Sequence, residues 1–345
     1  MLRSLAVALF VLLLLGLLAA AELQQRWQRP LNLPGDDYIL VVEPGDSLRS
    51  VAGRLEQEGV YPDPLLLRIY GRITGLDQQI RHGEYRVERG ATARDLLYLL
   101  HEGRVISYQV TLPEGITLAE AVRRLAAAES LQSVLDGAGD QRLLALVAPY
   151  ENPEGWFFPD SYHYQRGTTD LEILQRAHTA MREVLAQAWE ERAEGLPYAN
   201  AYEALIMASI VERETGVPEE REQIAGVFVR RLQRGMRLQT DPTVIYGLGE
   251  DFDGNLRRAH LRDPANAYNT YSHAGLPPSP IALPGRAAIV AALHPDQGDT
   301  LYFVARGDGG HYFSRTLAEH EKAVREYQLR RRQDYRSSPQ AGGGQ

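Results

Sequence analysis

From Ala204 to Val211 every residue except Ser209 is apolar. A helix through this stretch is hydrophobic on nearly all sides, so other elements must enclose it. Two carboxylates, Glu212 and Glu214, close it. At roughly 100° per residue Glu212 falls between Ala208 and Leu205, and Glu214 between Ile210 and Met207, so periodicity sets either acid against apolar neighbours and does not choose between them. A carboxyl partly removed from water has a raised pKa, as a general acid working near neutral pH requires. The plainer role for both is to reach solvent in the last turn before Gly216 and Pro218 stop the helix.

The residues beyond this helix are suited to a carbohydrate groove. A second amphipathic helix carries Ile224, Val227, Phe228, Arg231 and Leu232 and ends at Gly235. Gly235–Gly247 then groups Gln239, Thr240, Asp241 and Tyr246 between apolar residues. Asp241 before Pro242 is a standard helix start, with Asp as cap and Pro in the first turn; orienting an acid or a substrate is compatible with that role. Tyr268-Asn269-Thr270-Tyr271 and Gly275-Leu276-Pro277-Pro278 make a loop whose amide, hydroxyls and rings suit sugar subsites. The run from Glu154 to Tyr162, EGWFFPDSY, has too many aromatics for an ordinary solvated loop, and aromatic faces beside polar groups are what sugar rings pack on.

The chain begins with seventeen uncharged residues, Leu5–Ala21, preceded by Arg3 and followed by Glu22. As a helix they extend about 26 Å, just under the hydrocarbon thickness of a bilayer. Arg3 and the amino terminus favour a cytoplasmic start, with everything after Glu22 on the outer side. Ala19-Ala20-Ala21 would also satisfy a signal-peptidase site, but the apolar run exceeds the usual signal core, and an uncleaved anchor is the expectation. The net charge of -8 argues against a nucleic-acid partner. The absence of cysteine excludes disulfides and thiolate metal sites. His311, Glu319 and His320 match no strong metal-ligand spacing, so neither metal nor cofactor is expected.

The remaining chain reads as a tether at 22–37, a small βα module at 38–105, a larger mixed domain at 106–334 and a disordered tail at 335–345, with residues 1–4 on the cytoplasmic side. The fold class is α+β with separate small and large exported domains. A local pattern recurs: Ser47, Thr92 and Thr117 each precede a Leu by eight residues and follow Gly45, Gly90 or Gly115. It predicts a capped helix after each. Further helices are expected over Leu118–Leu135, from Thr169 or Asp170 to near Gly195, and over Pro284–Leu293. A hairpin is expected at Leu301–Ala305 and His311–Ser314. Arg330–Arg332 reads as a solvated helix face.

Taken in order, EGWFFPDSY, IVERET (Ile210–Thr215), LQTDPTVIYG (Leu238–Gly247), AYNTYSHAGLPPSPIALPG (Ala267–Gly285) and LYFVARGDGGHYFS (Leu301–Ser314) closely resemble the catalytic domain of the bacterial endolytic murein transglycosylases, the YceG-like family. Tyr38–Gly103 resembles a LysM-type module, a type that binds glycan in other envelope proteins. The resemblance implies an inner-membrane lyase with one amino-terminal anchor. It would cut the MurNAc to GlcNAc β-1,4 bond within nascent peptidoglycan strands, leave 1,6-anhydroMurNAc ends and terminate elongation beside the glycan synthases. It carries Glu212, the first acid of IVERET, over as the single acid and base, with Glu214 as the second candidate. Gln239, Thr240, Asp241, Tyr246, Tyr268 and Asn269 are carried as groove residues. Glu212→Gln is then expected to keep the shape and abolish cleavage. Ser279 departs from the family, which usually has Gly after the paired prolines. The alternatives are a muramidase-like hydrolase pairing Glu212 with Asp241, and a scaffold that binds glycan without cutting it.

Overall fold

The structure is a computed structural model that describes residues 2–78 and 80–329. The Arg330–Arg332 face and the 335–345 tail lie outside the described residues. The chain is a mixed α+β protein in two compact units: one comprises residues 1–108 with 163–168, the other residues 109–162 and 169 onward.

The first unit opens with α1 (Leu2–Trp27), of which Leu9–Trp27 is long and apolar enough to cross a membrane. From Leu9 to Leu23 its leucines are exposed, and Trp27 is buried. The residues expected as a tether thus continue α1 as far as Trp27. Beyond it Leu31 is buried and its N–H donates to Ala91 O. Next come β1 (Asp37–Val42), α2 (Leu48–Gln57), α3 (Pro64–Thr74), β2 (Gly83–Glu88) and α4 (Ala93–Glu102). β1 and β2 pair antiparallel, with Leu40 opposite Tyr85. Alternation along β1 turns Leu40 and Val42 inward, where they meet Val51 and Leu55 of α2, Leu67 of α3 and Leu96, Leu97 and Leu100 of α4. Ser47 and Thr92 cap α2 and α4 through reciprocal bonds with Ser50 and Asp95, each cap contributing about 1 kcal/mol.

In the second unit β3 (Tyr108–Thr111) leads to α5 (Leu118–Ala126) and α6 (Gln141–Val147). α5 has the expected cap, Thr117 with Glu120, but it stops at Ala126, short of the expected Leu135. Further along, the buried Asp170 carboxylate accepts the N–H groups of Val134 and Leu135 and the Ser133 hydroxyl, holding residues 133–135 outside a helix. β4 (Ser161–Tyr164) pairs with β3. Then come α7 (Asp170–Glu190), capped by Thr169, and α8 (Ala201–Glu214), in which Ala204–Val211 is wholly buried as its composition requires. α9 (Arg221–Gln233), α10 (Asp241–Leu248), α11 (Arg258–Arg262) and α12 (Arg286–Leu293) follow, and α7, α9, α10 and α12 all pack on α8. The hairpin β5 (Tyr302–Ala305) and β6 (His311–Ser314) and α13 (Leu317–Val324) complete the unit.

Arg231 sits on the apolar side of α9 yet is buried. Its guanidinium donates to Leu301 O and Leu238 O, tying α9 to the hairpin and to the segment that leads into α10.

Candidate active site

The carboxyl end of α8 directs its two acids into different surroundings. Glu214 is half-buried and faces the turn that starts α10. The Thr240 hydroxyl donates to Glu214 Oε1. Burial pushes the Glu214 carboxyl up to about 7; the Thr240 bond opposes this and the negative charge of Asp241 adds to it. Asp241 does not cap α10. Its Oδ1 accepts the Tyr271 hydroxyl at 2.6 Å, and the N-cap position belongs to Thr240, whose side chain is turned to Glu214.

The turn itself is strained. Gln239 has φ of 53°, a left-handed conformation uncommon for a residue with a side chain. Gln239 N–H donates to Thr270 O at 3.2 Å and its Oε1 accepts from Arg231 at 3.4 Å. Thr240 N–H donates to the Thr270 hydroxyl at 3.0 Å, and Thr243 meets that hydroxyl at 2.9 Å. Thr240 and Asp241 thus act on Glu214, and they and the neighbouring Gln239 are braced from the 268–271 loop.

Glu212 has a different role in the packing. Its side chain is 6% exposed and lies 3.9 Å from the Arg221 guanidinium. Oε2 accepts the Gly285 N–H at 3.0 Å. Burial raises its pKa, the Gly285 bond and the Arg221 charge pull it down, and Glu114 pushes it up. Both oxygens face positive or donor groups, which offset part of the burial but leave the carboxyl raised.

A third carboxyl lies in the EGWFFPDSY run. Glu154 is buried, and burial pushes it up to about 7. The Leu118 N–H donates to its Oε1 at 2.9 Å and the Tyr246 hydroxyl to its Oε2 at 3.2 Å. Tyr246 and Tyr268 meet edge to face at 4.9 Å, and the Tyr268 hydroxyl contacts Ser279 Oγ at 2.7 Å. Asn152 donates to both Tyr268 and Ser279. The departure at Ser279 thus supplies a buried hydroxyl that holds Tyr268. Asn152, Glu154, Tyr246 and Tyr268 line a cavity of about 870 Å³ together with Arg213 and Pro242. Spacing does not single out Glu154; the turn at Gly155 buries it, and only its place inside an aromatic run hints at a site.

Asn269 does not face this cavity. It is fully buried, and its amide donates to His260 O, Asp263 O and Ser272 Oγ. It organises the loop that carries Tyr268 and Tyr271. Among the described residues no three His, Cys, Asp or Glu side chains converge as metal ligands. His311 pairs with Glu220, His320 stacks on Tyr302, and Glu319 caps α13.

The arrangement offers a neutral-range acid beside a hydroxyl and a carboxylate, at the end of a buried helix and next to an aromatic cavity. The model of the YceG-like family matches residues 40–326. The chain belongs to the YceG-like family. It is 29% identical over 301 residues to the endolytic murein transglycosylase of Bacillus subtilis, covering 82% of either protein. Against the protein of that name from Streptococcus pneumoniae it is 28% identical, covering 86% of this chain and 60% of the relative. Among solved structures, a yceG-like protein of Listeria monocytogenes superposes with a TM-score of 0.53 at 28% identity, over 83% of this chain and 98% of that one.

Proposed function

We propose that this chain is a lytic transglycosylase that cuts peptidoglycan glycan strands internally at the MurNAc to GlcNAc β-1,4 bond. The observation that carries the reading is Glu214 at the end of α8, raised to about 7 and bonded to Thr240 beside Asp241. Together with the endolytic murein transglycosylases among its relatives, this supports an acid that holds its proton near neutral pH.

Glu214 rather than Glu212 is proposed as the acid. Burial raises both carboxyls, but at Glu212 the Gly285 N–H and the Arg221 charge oppose it, whereas at Glu214 only the Thr240 hydroxyl opposes it and the Asp241 carboxylate adds to it. In the proposed reaction Glu214 gives its proton to the departing glycosidic oxygen. It then takes the proton of the muramic C6 hydroxyl as that oxygen bonds to the anomeric carbon, so the proton count closes without water and a 1,6-anhydro end results. Burial keeps Glu214 protonated in the resting state, and Asp241, held by Tyr271, adds a smaller push in the same direction. Gln239 and Thr240 position it, while Tyr246 and Tyr268 line the groove for sugar rings. Glu212 supports the α8 end through Arg221 and Gly285.

The proximity of Asp241 to Glu214 also favours a second reading, a hydrolase in which Asp241 activates water. Digesting peptidoglycan with the full chain in detergent separates the two: anhydro-muramic ends support the transglycosylase and reducing ends the hydrolase. Intact but bound strands would indicate a glycan-binding scaffold.

α1 is proposed as an uncleaved anchor in the cytoplasmic membrane, with both units on the outer side. An enzyme so tethered works where new strands emerge, which suits release of strands from the glycan synthases, proposed as its partners. The core that residues 38–103 build together with Trp27 and Leu31 supports a LysM-like docking module.

A further inference from the structure

The outer face of α3 carries apolar side chains that nothing in the first unit covers. Leu65, Ile69 and Ile73 recur every four residues and are 62%, 45% and 78% exposed. They form one stripe on the helix. Arg68 and Arg72 flank one side of the stripe, and Arg49 of α2 borders the same hollow of about 490 Å³. The opposite face, with Leu66, Leu67 and Gly71, is buried in the module. Asp77 is the one carboxylate lining the hollow, 3.7 Å from Arg72. The other acids nearby are already engaged, Asp46 by Arg54 and Asp63 by Arg26. In a chain of net charge -8, a basic and apolar face of this kind is a local exception.

The same helix is pinned to α1. Trp27, the last residue of α1, stacks on Tyr70 of α3 with ring centroids 3.7 Å apart. Arg26 reaches Asp63, the N-cap residue of α3, at 3.6 Å. A rise of about 1.5 Å per residue puts Trp27 about 9 Å beyond Ala21, close to the depth of one headgroup layer. A helix attached at that height lies level with phospholipid headgroups.

We propose that α3 is an interfacial helix lying on the anionic outer leaflet of the membrane that holds α1, with Leu65, Ile69 and Ile73 entering the acyl boundary and Arg49, Arg68 and Arg72 bound to lipid phosphates. This is the composition of helices that lie in the plane of the interface, and arginines near such a surface add electrostatic attraction. The proposal rests on α1 remaining in the membrane. Its consequence is that the first unit is fixed on the bilayer rather than free on a hinge.

The sequence has no cysteine, so Ile73→Cys and Leu14→Cys in the full chain each give one nitroxide label. The protein is reconstituted in nanodiscs of phosphatidylglycerol with phosphatidylcholine, and of phosphatidylcholine alone. In the anionic discs the Ile73 label is expected to collide more with oxygen than with a water-soluble nickel chelate, as the Leu14 label does. The triple variant R49E/R68E/R72E should raise its nickel collision rate several-fold while cleaving peptidoglycan in detergent at the wild-type rate. An Ile73 label that stays in water while Leu14 is in lipid overturns the proposal and leaves the anchor standing. Leu14 in water overturns both. A label at Ile73 shielded from both reagents, or immobilised only when glycan strands are added, assigns the face to protein or to the wall and also overturns it.

Discussion

The Thr240 hydroxyl donates directly to the carboxylate of Glu214, across 26 residues of sequence. A donor to the charged form lowers an acid's pKa, so this bond keeps Glu214 near 7 against the burial that drives it higher. Thr240→Val removes the donor and conserves the shape. The alkaline limb of the kcat/KM profile for glycan cleavage is expected to move to higher pH, with a loss of about 10-fold at the optimum as the acid loses its orientation. An unmoved limb would separate Thr240 from the titrating acid.

Glu154 and Tyr246 line the cavity, and neither is assigned to the proton transfers. Tyr246→Phe leaves Glu154 without its hydroxyl donor, while the backbone N–H of Leu118 remains. The expected effect is a rise of roughly three- to tenfold in KM for glycan strands, about 1 kcal/mol of lost binding, with kcat nearly unchanged. Initial rates over a range of strand concentrations make the distinction; a fall in kcat alone would draw Tyr246 into the chemistry.

Burying two carboxyls also gives stability a pH dependence. Glu154 and Glu214 have folded-state pKa values near 7, against 4.5 as their ordinary value. Between those limits the folded chain holds protons that the unfolded chain has released, so stability falls as pH rises. The contribution is complete below about 4.5 and is lost as pH passes through 7. Relative to Glu154→Gln, the wild type should lose on the order of 1–3 kcal/mol over this window. Denaturant midpoints at pH 5 and pH 8 test it, and a wild type that gains on Glu154→Gln at pH 8 would reverse the sign.

Gly155 sets the position of Glu154. It has φ of +81°, and a Cβ there would lie 2.4 Å from Pro280 Cβ, an atom of a stiff ring. Gly155→Ala is expected to destabilise the second unit by about 2–4 kcal/mol through backbone strain and overpacking. Thermal unfolding monitored by tryptophan fluorescence reports it through the adjacent Trp156; an unchanged midpoint would mean that the 154–162 segment moves freely.

Much of this architecture comes from local rules. Ser47, Thr92, Thr117 and Thr169 begin helices because each side chain accepts from an N–H three residues on. Ala204–Val211 is buried because no face of it is polar. What local rules leave undetermined depends on contacts distant in sequence. Periodicity sets Glu212 and Glu214 alike against apolar neighbours; the choice between them comes from Arg221 and Gly285 on one side and Thr240 on the other. The non-helical course of residues 133–135 is likewise hidden from local pattern, because Asp170 reaches Leu135 from 35 residues away. Asn269 has the composition of a sugar ligand, but its neighbours His260, Asp263 and Ser272 take up its amide. Asp241 has the signature of a cap, and Tyr271 turns it toward the acid instead.

The most direct measurement is the mass of the glycan ends released from purified peptidoglycan by the wild-type chain, Glu212→Gln and Glu214→Gln in detergent. Anhydro-muramic ends from the wild type, a reduced amount of the same ends from Glu212→Gln, and none from a folded Glu214→Gln are the expected result. Anhydro ends from Glu214→Gln at the wild-type level, or reducing ends from the wild type, would contradict it.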